Sequence, residues 1–450
     1  MRAALPRGIS PSLSSARCAG SARETCAPAR GRGGRAGAGR GECVLKGRSG
    51  DGPAAERETS PPPAAGDLGG GPRGPCRCPR ERRLRRTPAG QRRPPAGPRL
   101  PDRRACARQV ERGGIDGTDY LHLYSTEPNP RYLYPYPTGH NLVGLLRGSD
   151  PVHGAESVIV MAHYDHVGRD RFRHVFNGAY DNAAGVAALI ELARAFQDVG
   201  YAPKRTIVWL FTDEEETGLR GARAFANAPS VPAEGIVLAL SVDPIGRALV
   251  PGYAFTGLFG LEHSPALRAL VERNAARSSR GDVLITHRDL IHSPFESDQD
   301  PFLARGIPGA WLVNPGFTFY HQIADEPDTV QYDVLLDSVR LLAQLVDQVA
   351  NDDGRYPFVE DVPVTANDLA RFRLPVGGLL RDGAELGERE RESLAALDAR
   401  LAAVEASGVV DAATVEDLSV DAIVTLFALS LTHPGPIPPP FPTGATAALP

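Results

Sequence analysis

Beyond Cys106 the chain contains no cysteine; all six (Cys18, Cys26, Cys43, Cys76, Cys78, Cys106) precede the body of the 450-residue sequence. The body therefore has no disulfide, no thiolate nucleophile and no Cys-ligated zinc, and any metal bound there is held by His, Asp or Glu. Cys76-Arg77-Cys78 is spaced too closely for the usual C-x2-C pair and reads as chance. Lysine is nearly missing as well, with Lys46 and Lys204 as its two occurrences. No apolar run reaches the roughly 20 residues of a membrane-spanning helix, so no span is expected. Pro6, Arg7 and Gly8 interrupt the basic start, so no secretory signal is expected either.

What is present divides sharply. The net charge of -4 conceals 25 Lys+Arg against 9 Asp+Glu through Arg112, and 25 against 45 thereafter. Residues 1–112 are rich in Arg, Gly, Pro and Ala. They have too little apolar surface to offset the entropy of ordering, so a disordered leader is expected. An arginine-rich arm is also a candidate for phosphate contacts. Aromatic stacking residues do not interleave the charges, however, and no nucleic-acid partner is expected.

From Tyr120 onward the pattern is that of a folded domain. Asn141–Leu146, Ser157–Ala162, Thr206–Thr212, Ile236–Val242 and Gly309–Val313 read as buried strands. Asp181 opens an amphipathic helix, with Asp181 or Asn182 as its cap; further helices are expected over Pro265–Ala276 and Asp328–Val349. Apolar strands alternating with helices predict an α/β fold, a mostly parallel mixed sheet with helices on both faces. The boundaries that follow are a leader over 1–112, a catalytic domain over 113–352, a helical extension over 353–433 and a Pro-rich tail over 434–450. Within the extension, Gly387–Ala406 and Thr414–Leu431 are the expected helices.

The polar residues fall at one place on this map. His163 and Asp165 follow one strand, Glu214-Glu215-Glu216 a second, Asp243 a third and His321 a fourth, while Asp181 sits at a helix start. Ligands of open α/β sheets bind at the carboxyl ends of the strands. Two His and several carboxylates without sulfur suit zinc, and a paired-metal site needs a bridging carboxylate with further ligands on each side. Any one of these residues alone has an ordinary reading: a strand-end polar contact, a helix cap, a solvated charge. Glu214 is read as a solvated charge, His166 and His174 as surface or substrate-loop residues, and Ser297-Asp298 equally as pocket lining or as a turn.

Taken in order, His163-x-Asp165, Gly178-Ala-Tyr-Asp181-Asn-x-Ala-Gly185, Glu215-Glu216-x-Gly218-Leu219-x-Gly221, Val242-Asp243-x-Ile-Gly246 and Tyr320-His321-x-x-x-Asp325 resemble the motifs of the co-catalytic zinc exopeptidases. That family includes bacterial leucyl aminopeptidases and the glutamate carboxypeptidase and transferrin-receptor relatives. The resemblance covers about Tyr120 to Asn351. Ala222 and Pro244 depart from it, standing where relatives commonly have Ser and Met.

The resemblance implies two Zn2+ ions: His163 and Asp243 on one, Glu216 and His321 on the other, Asp181 between them. It implies Glu215 as the general base that takes a proton from the attacking water. Asp165 is then expected to fix the His163 tautomer, Tyr320 to donate to the oxyanion, and Asp325 to orient the His321 region. The function expected is an aminopeptidase acting on a peptide or small amide. The alternatives are a carboxypeptidase, a glutaminyl-cyclase-like enzyme with a single zinc, and a receptor-like homologue without catalysis. Relatives of this kind favour an exported location.

Overall fold

The computed structural model describes residues 110–115, 117–125, 138–275, 282–291, 296–383 and 385–433. The readings for 1–109 and for the tail from 434 lie outside the described residues. The described strands are β1 (Glu111–Arg112), β2 (Leu121–Ser125), β3 (Thr138–Leu146), β4 (Ser157–His163), β5 (Thr206–Thr212), β6 (Ile236–Val242), β7 (Phe255–Phe259), β8 (Asp282–Thr286) and β9 (Gly309–Val313). They form one sheet in the order β1-β3-β5-β4-β6-β9-β7-β8, with β2 beside β3. Its centre, β5-β4-β6-β9, is parallel, whereas β3 and β7 join antiparallel. The sheet is mixed, and parallel pairing dominates only where the site is built.

Side chains of β4 explain the two-sided cover. Val158 and Val160 point to one face, where Leu189 of α1 (Ala184–Asp198) and Leu342 and Leu345 of α5 (Tyr332–Asn351) pack. Ile159 and Met161 point to the other, against Ala222 and Phe225 of α2 (Arg220–Asn227) and against Phe302 of α4 (Asp300–Leu303). Successive strand residues alternate faces, so a strand buried on both sides must be apolar throughout. Helix α3 (Pro265–Ala275) completes the cover through Leu267, Leu270 and Val271.

Arg205 locks the base of β5 to the end of α5. It has no exposed surface and donates to Glu156 Oε2 at 2.7 Å and to the carbonyls of Val349, Asp352 and Gly354. Arg205→Ala leaves these acceptors unmatched. We expect a loss of about 3 kcal/mol, read from urea unfolding; a change within about 0.5 kcal/mol, the range of ordinary surface substitutions, contradicts the assignment.

Several local expectations are corrected. The strand Glu111–Arg112 pairs with Leu145 and Gly144, so the folded part begins before the boundary drawn at 112. Strand β7 escaped notice because Gly257 interrupts a short run. Helix α6 (Ala366–Asp382) contains Pro375, ordinarily a breaker; its Thr365/Asp368 capping box was the available signal. The C-terminal helices α6, α7 (Glu388–Ser407) and α8 (Ala412–Thr432) are not a separate unit with a core of their own. Phe372, Leu379, Leu397 and Leu418 share one apolar cluster with Phe255, Phe259, Trp311 and Val313 of the sheet.

Candidate metal centre

Strands β5, β4, β6 and β9 are neighbours and run the same way, so their carboxyl ends form one rim. His163 is the last residue of β4, Asp243 directly follows β6, and Glu215 and Glu216 follow β5. His321 lies beyond β9, after the Phe317–Phe319 turn, at φ 54. That left-handed backbone is uncommon for a side-chain-bearing residue and is tolerated where packing imposes it.

All five residues expected to bind metal meet there. His163 Nε2 lies 3.1 Å from both Asp181 Oδ1 and Asp243 Oδ1. His321 Nε2 lies 3.2 Å from Asp181 Oδ2 and 2.8 Å from Glu216 Oε2. The donor atoms form two groups, His163–Asp181–Asp243 and His166–Asp181–Glu216–His321, each within 4.8 Å. Asp181 belongs to both. Its Oδ2 and His321 Nε2 are buried without a hydrogen-bond partner. They approach each other closely yet converge on a common point instead of pairing. Buried polar atoms left this way call for a ligand, and imidazole with carboxylate fits zinc.

Helix α1 starts at Ala184, and Asp181 does not cap it: Asp181 and Asn182 are non-helical. Instead Asn182 Oδ1 accepts from Gly185 N and its Nδ2 donates to the Val242 carbonyl. The Asp181 carboxylate is thereby released into the centre.

His166, expected as a surface or substrate-loop residue, lies instead among the metal-ligand candidates. Its Nδ1 is 2.8 Å from Glu216 Oε1 and 3.6 Å from Asp181 Oδ2. The signal was its place three residues after His163, on the same strand-end loop; His174 stays exposed and bonds Asp170. Glu214 is not merely solvated either, since Tyr124 Oη donates to it.

The supporting residues act differently from expectation. His163 Nδ1 is closest to the Asp165 carbonyl, at 3.0 Å, while the carboxylate stands at 3.6 Å. That carboxylate accepts from the backbone N–H of Glu215 and Glu216, so Asp165 holds the two glutamates in place. Asp325 accepts from Tyr180 N and Asp181 N, orienting the central carboxylate and not His321. Tyr320 stacks on His321 with ring centroids 3.8 Å apart. Ser297 and Asp298 prove to be part of the rim: Ser297 Oγ donates to Asp243 Oδ2 at 2.7 Å, and the fully buried Asp298 accepts from Thr212 Oγ1.

Electrostatics follow from burial among like charges. Burial pushes the Glu215 carboxyl well up, and Asp243, Asp298 and Glu216 add to that against His163. Burial likewise raises Asp298 to about 7 and Asp325 to about 6. Asp181 goes the other way: burial would raise it, but the adjacent His163 and His321 imidazoles outweigh that. Burial would lower His321, but Asp181 and Glu216 raise it to about 9.

Residues 141–346 match Peptidase family M28. Among curated proteins the chain is similar to the vacuolar membrane protease of Tuber melanosporum, 35% identical over 120 residues, which are 26% of this chain and 12% of that protein. It is also similar to that of Candida dubliniensis, 25% identical over 236 residues, or 50% of this chain and 23% of that protein. The chain thus spans less than a quarter of the length of these relatives. Among solved structures, a zinc aminopeptidase from Bacillus subtilis is 21% identical with TM-score 0.41, covering 51% of this chain and 55% of that one. Glutaminyl cyclase from Porphyromonas gingivalis is 19% identical with TM-score 0.40, covering 51% and 84%. The exported location implied by the resemblance is overturned, because the curated relatives are named for a vacuolar membrane. No helix among the described residues is long and apolar enough to cross a membrane. The matched range holds His163, Asp181, Glu215, Glu216, Asp243 and His321, and the chain carries a domain of peptidase family M28.

Proposed function

We propose that this chain is a zinc-dependent aminopeptidase binding two Zn2+ ions, with His163 and Asp243 on one, Glu216 and His321 on the other, and Asp181 shared. The observation that carries this reading is the position of Asp181 in both ligand groups. Bound zinc supplies Lewis acidity toward the scissile carbonyl and the attacking water. Glu215 is the proton acceptor; burial raises its carboxyl well above the ordinary range, which strengthens it as a base. It takes the proton of the attacking water and delivers it to the leaving amine. Asp165 fixes Glu215 and Glu216 through their backbone N–H groups, and His166 orients Glu216. Burial and then the Asp181 and Glu216 charges hold the Tyr320 phenol protonated, which suits a donor to the oxyanion.

Carboxylates crowd this rim, whereas Arg247 is buried against Phe319 and donates to the Thr329 carbonyl. The balance favours a free amine on the substrate over a terminal carboxylate. A complete second ligand group, including His163, favours this hydrolase over a single-zinc cyclase. The test is the zinc-loaded full chain against leucylglycine, its N-acetyl form and a glutaminyl peptide. Hydrolysis confined to the free amine supports the reading. Release of glycine from the blocked peptide indicates a carboxypeptidase, cyclisation of the glutaminyl peptide a cyclase, and absence of bound zinc overturns the metal assignment.

Zinc binding should depend on pH. His321 titrates at about 9 in the metal-free pocket, and a zinc ligand must be neutral, so binding at pH 7 displaces its proton. Apparent affinity rises with pH through about 9. Calorimetry in buffers of different ionisation enthalpy reads the proton release; its absence at pH 7 contradicts this. For the metal-free fold the sign reverses. A raised histidine stabilises fully below the model-peptide value of about 6.5, and that contribution is lost as pH climbs through about 9.

A further inference from the structure

His166 stands outside the five residues implied as ligands, yet its placement suits that role. It follows His163 by three residues, on the loop that leaves β4. Only 9% of its side chain is exposed. The ring lies against Gly178, where a Cβ would come within 2.7 Å of His166 Cγ, so any larger residue there would displace it. Nδ1 is 2.8 Å from Glu216 Oε1 and 3.6 Å from Asp181 Oδ2. His321 Nε2 makes the matching approaches, 2.8 Å to Glu216 Oε2 and 3.2 Å to Asp181 Oδ2. The two imidazoles stand edge to face with centroids 5.5 Å apart. The turn before His321 is fixed by α8: Thr318 Oγ1 donates to the Ser430 carbonyl, and Phe317 meets both Phe427 and Tyr320.

Donors arranged tetrahedrally around zinc stand roughly 3.3 Å from one another. The four approaches between these imidazoles and carboxylates bracket that spacing. A hydrogen bond accounts for the contact of His166 with Glu216, but Asp181 Oδ2, approached by both imidazoles, has no hydrogen-bond partner. We propose that His166 is a fourth protein ligand, through Nδ1, of the ion held by Asp181, Glu216 and His321. This rests on the two-zinc reading. The hydrogen bond to Glu216 belongs to the metal-free pocket; with the ion present, both side chains turn lone pairs toward it. The two sites are then unequal. Four protein donors close a zinc site, whereas three leave a position for substrate, so the His163–Asp181–Asp243 group is the open side. Coordination through Nδ1 leaves the ring proton on Nε2, which is buried without a hydrogen-bond partner. Burial there shields that proton from exchange with water.

Two measurements on the metal-free full chain test this without any substrate. In the first, Co2+ is added and the paramagnetically shifted proton spectrum is recorded in H2O and in D2O. An imidazole bound to Co2+ through one nitrogen keeps a proton on the other, and that N–H gives a shifted signal which D2O removes. The expected result is one such signal that is present in the parent and missing from His166→Asn. In the second, Zn2+ is titrated against a chelating indicator. His166→Asn keeps an N–H for Glu216 but offers only a weak amide oxygen to a metal. A ligand lost this way should weaken one of the two binding steps by about 100-fold or more, the upper end of what a merely supporting residue costs. If His166 acts through its hydrogen bond alone, Asn replaces it and zinc binding stays within tenfold. Either that result or a parent spectrum with no His166-dependent signal overturns the proposal while the five-ligand, two-ion reading stands. A parent that binds neither Co2+ nor Zn2+ sinks both.

Discussion

Replacing Glu215 by Gln should lower kcat by about 10³-fold while leaving zinc content and thermal stability unchanged. A positioned general base contributes roughly 10²–10⁴ in rate, and 10³ corresponds to about 4 kcal/mol of barrier. The amide keeps the shape of the side chain, and the backbone N–H that Asp165 accepts is untouched. Only the ability to take a proton goes. The neighbouring charges strengthen the case: the site gathers Asp243, Asp298 and Glu216 around Glu215, and burial with those charges makes its carboxylate a stronger proton acceptor. Steady-state kinetics with metal analysis on the same sample decides the matter. Turnover within tenfold of the parent removes Glu215 as the base.

The second large effect belongs to Asp181→Ala, which should abolish activity and lower zinc affinity at both positions. Even residues that only support ligands cost 10- to 100-fold in metal affinity when replaced, and Asp181 stands in both donor groups. His163→Ala is the graded comparison. His163 belongs to one group, so that variant should fall from two ions toward one. If Asp181→Ala retains two ions by metal analysis, the shared role is wrong and the two groups are independent polar clusters. Asp325 gives an internal check on position: it grips the backbone N–H of Asp181, so Asp325→Ala should weaken zinc without removing a ligand.

Much of this site was legible beforehand because its residues carry local signals. Each of His163, Glu216 and Asp243 follows a strand whose apolar run marks it clearly, and parallel strands present their carboxyl ends together. His166 was legible only through its place three residues after His163, and nothing in that spacing says that its imidazole turns inward. Asp325 was legible as a site residue but not in its role, because its partner is a backbone 144 residues away in sequence. Ser297-Asp298 looked as much like a turn as a pocket wall until β6 and the loop before α4 were seen in contact.

By itself, then, the amino-acid order determined the strand runs, the two-sided burial of the sheet and the candidate ligands, all through short-range periodicity and residue chemistry. Tertiary structure alone decided that His166 joins the rim, that Asp165 and Asp325 act through backbone N–H groups, and that α8 packs beside Tyr320. The physical reason is that loop direction and helix docking depend on which strands are neighbours. Strand order is set by packing of the whole core, and no local stretch of sequence encodes it.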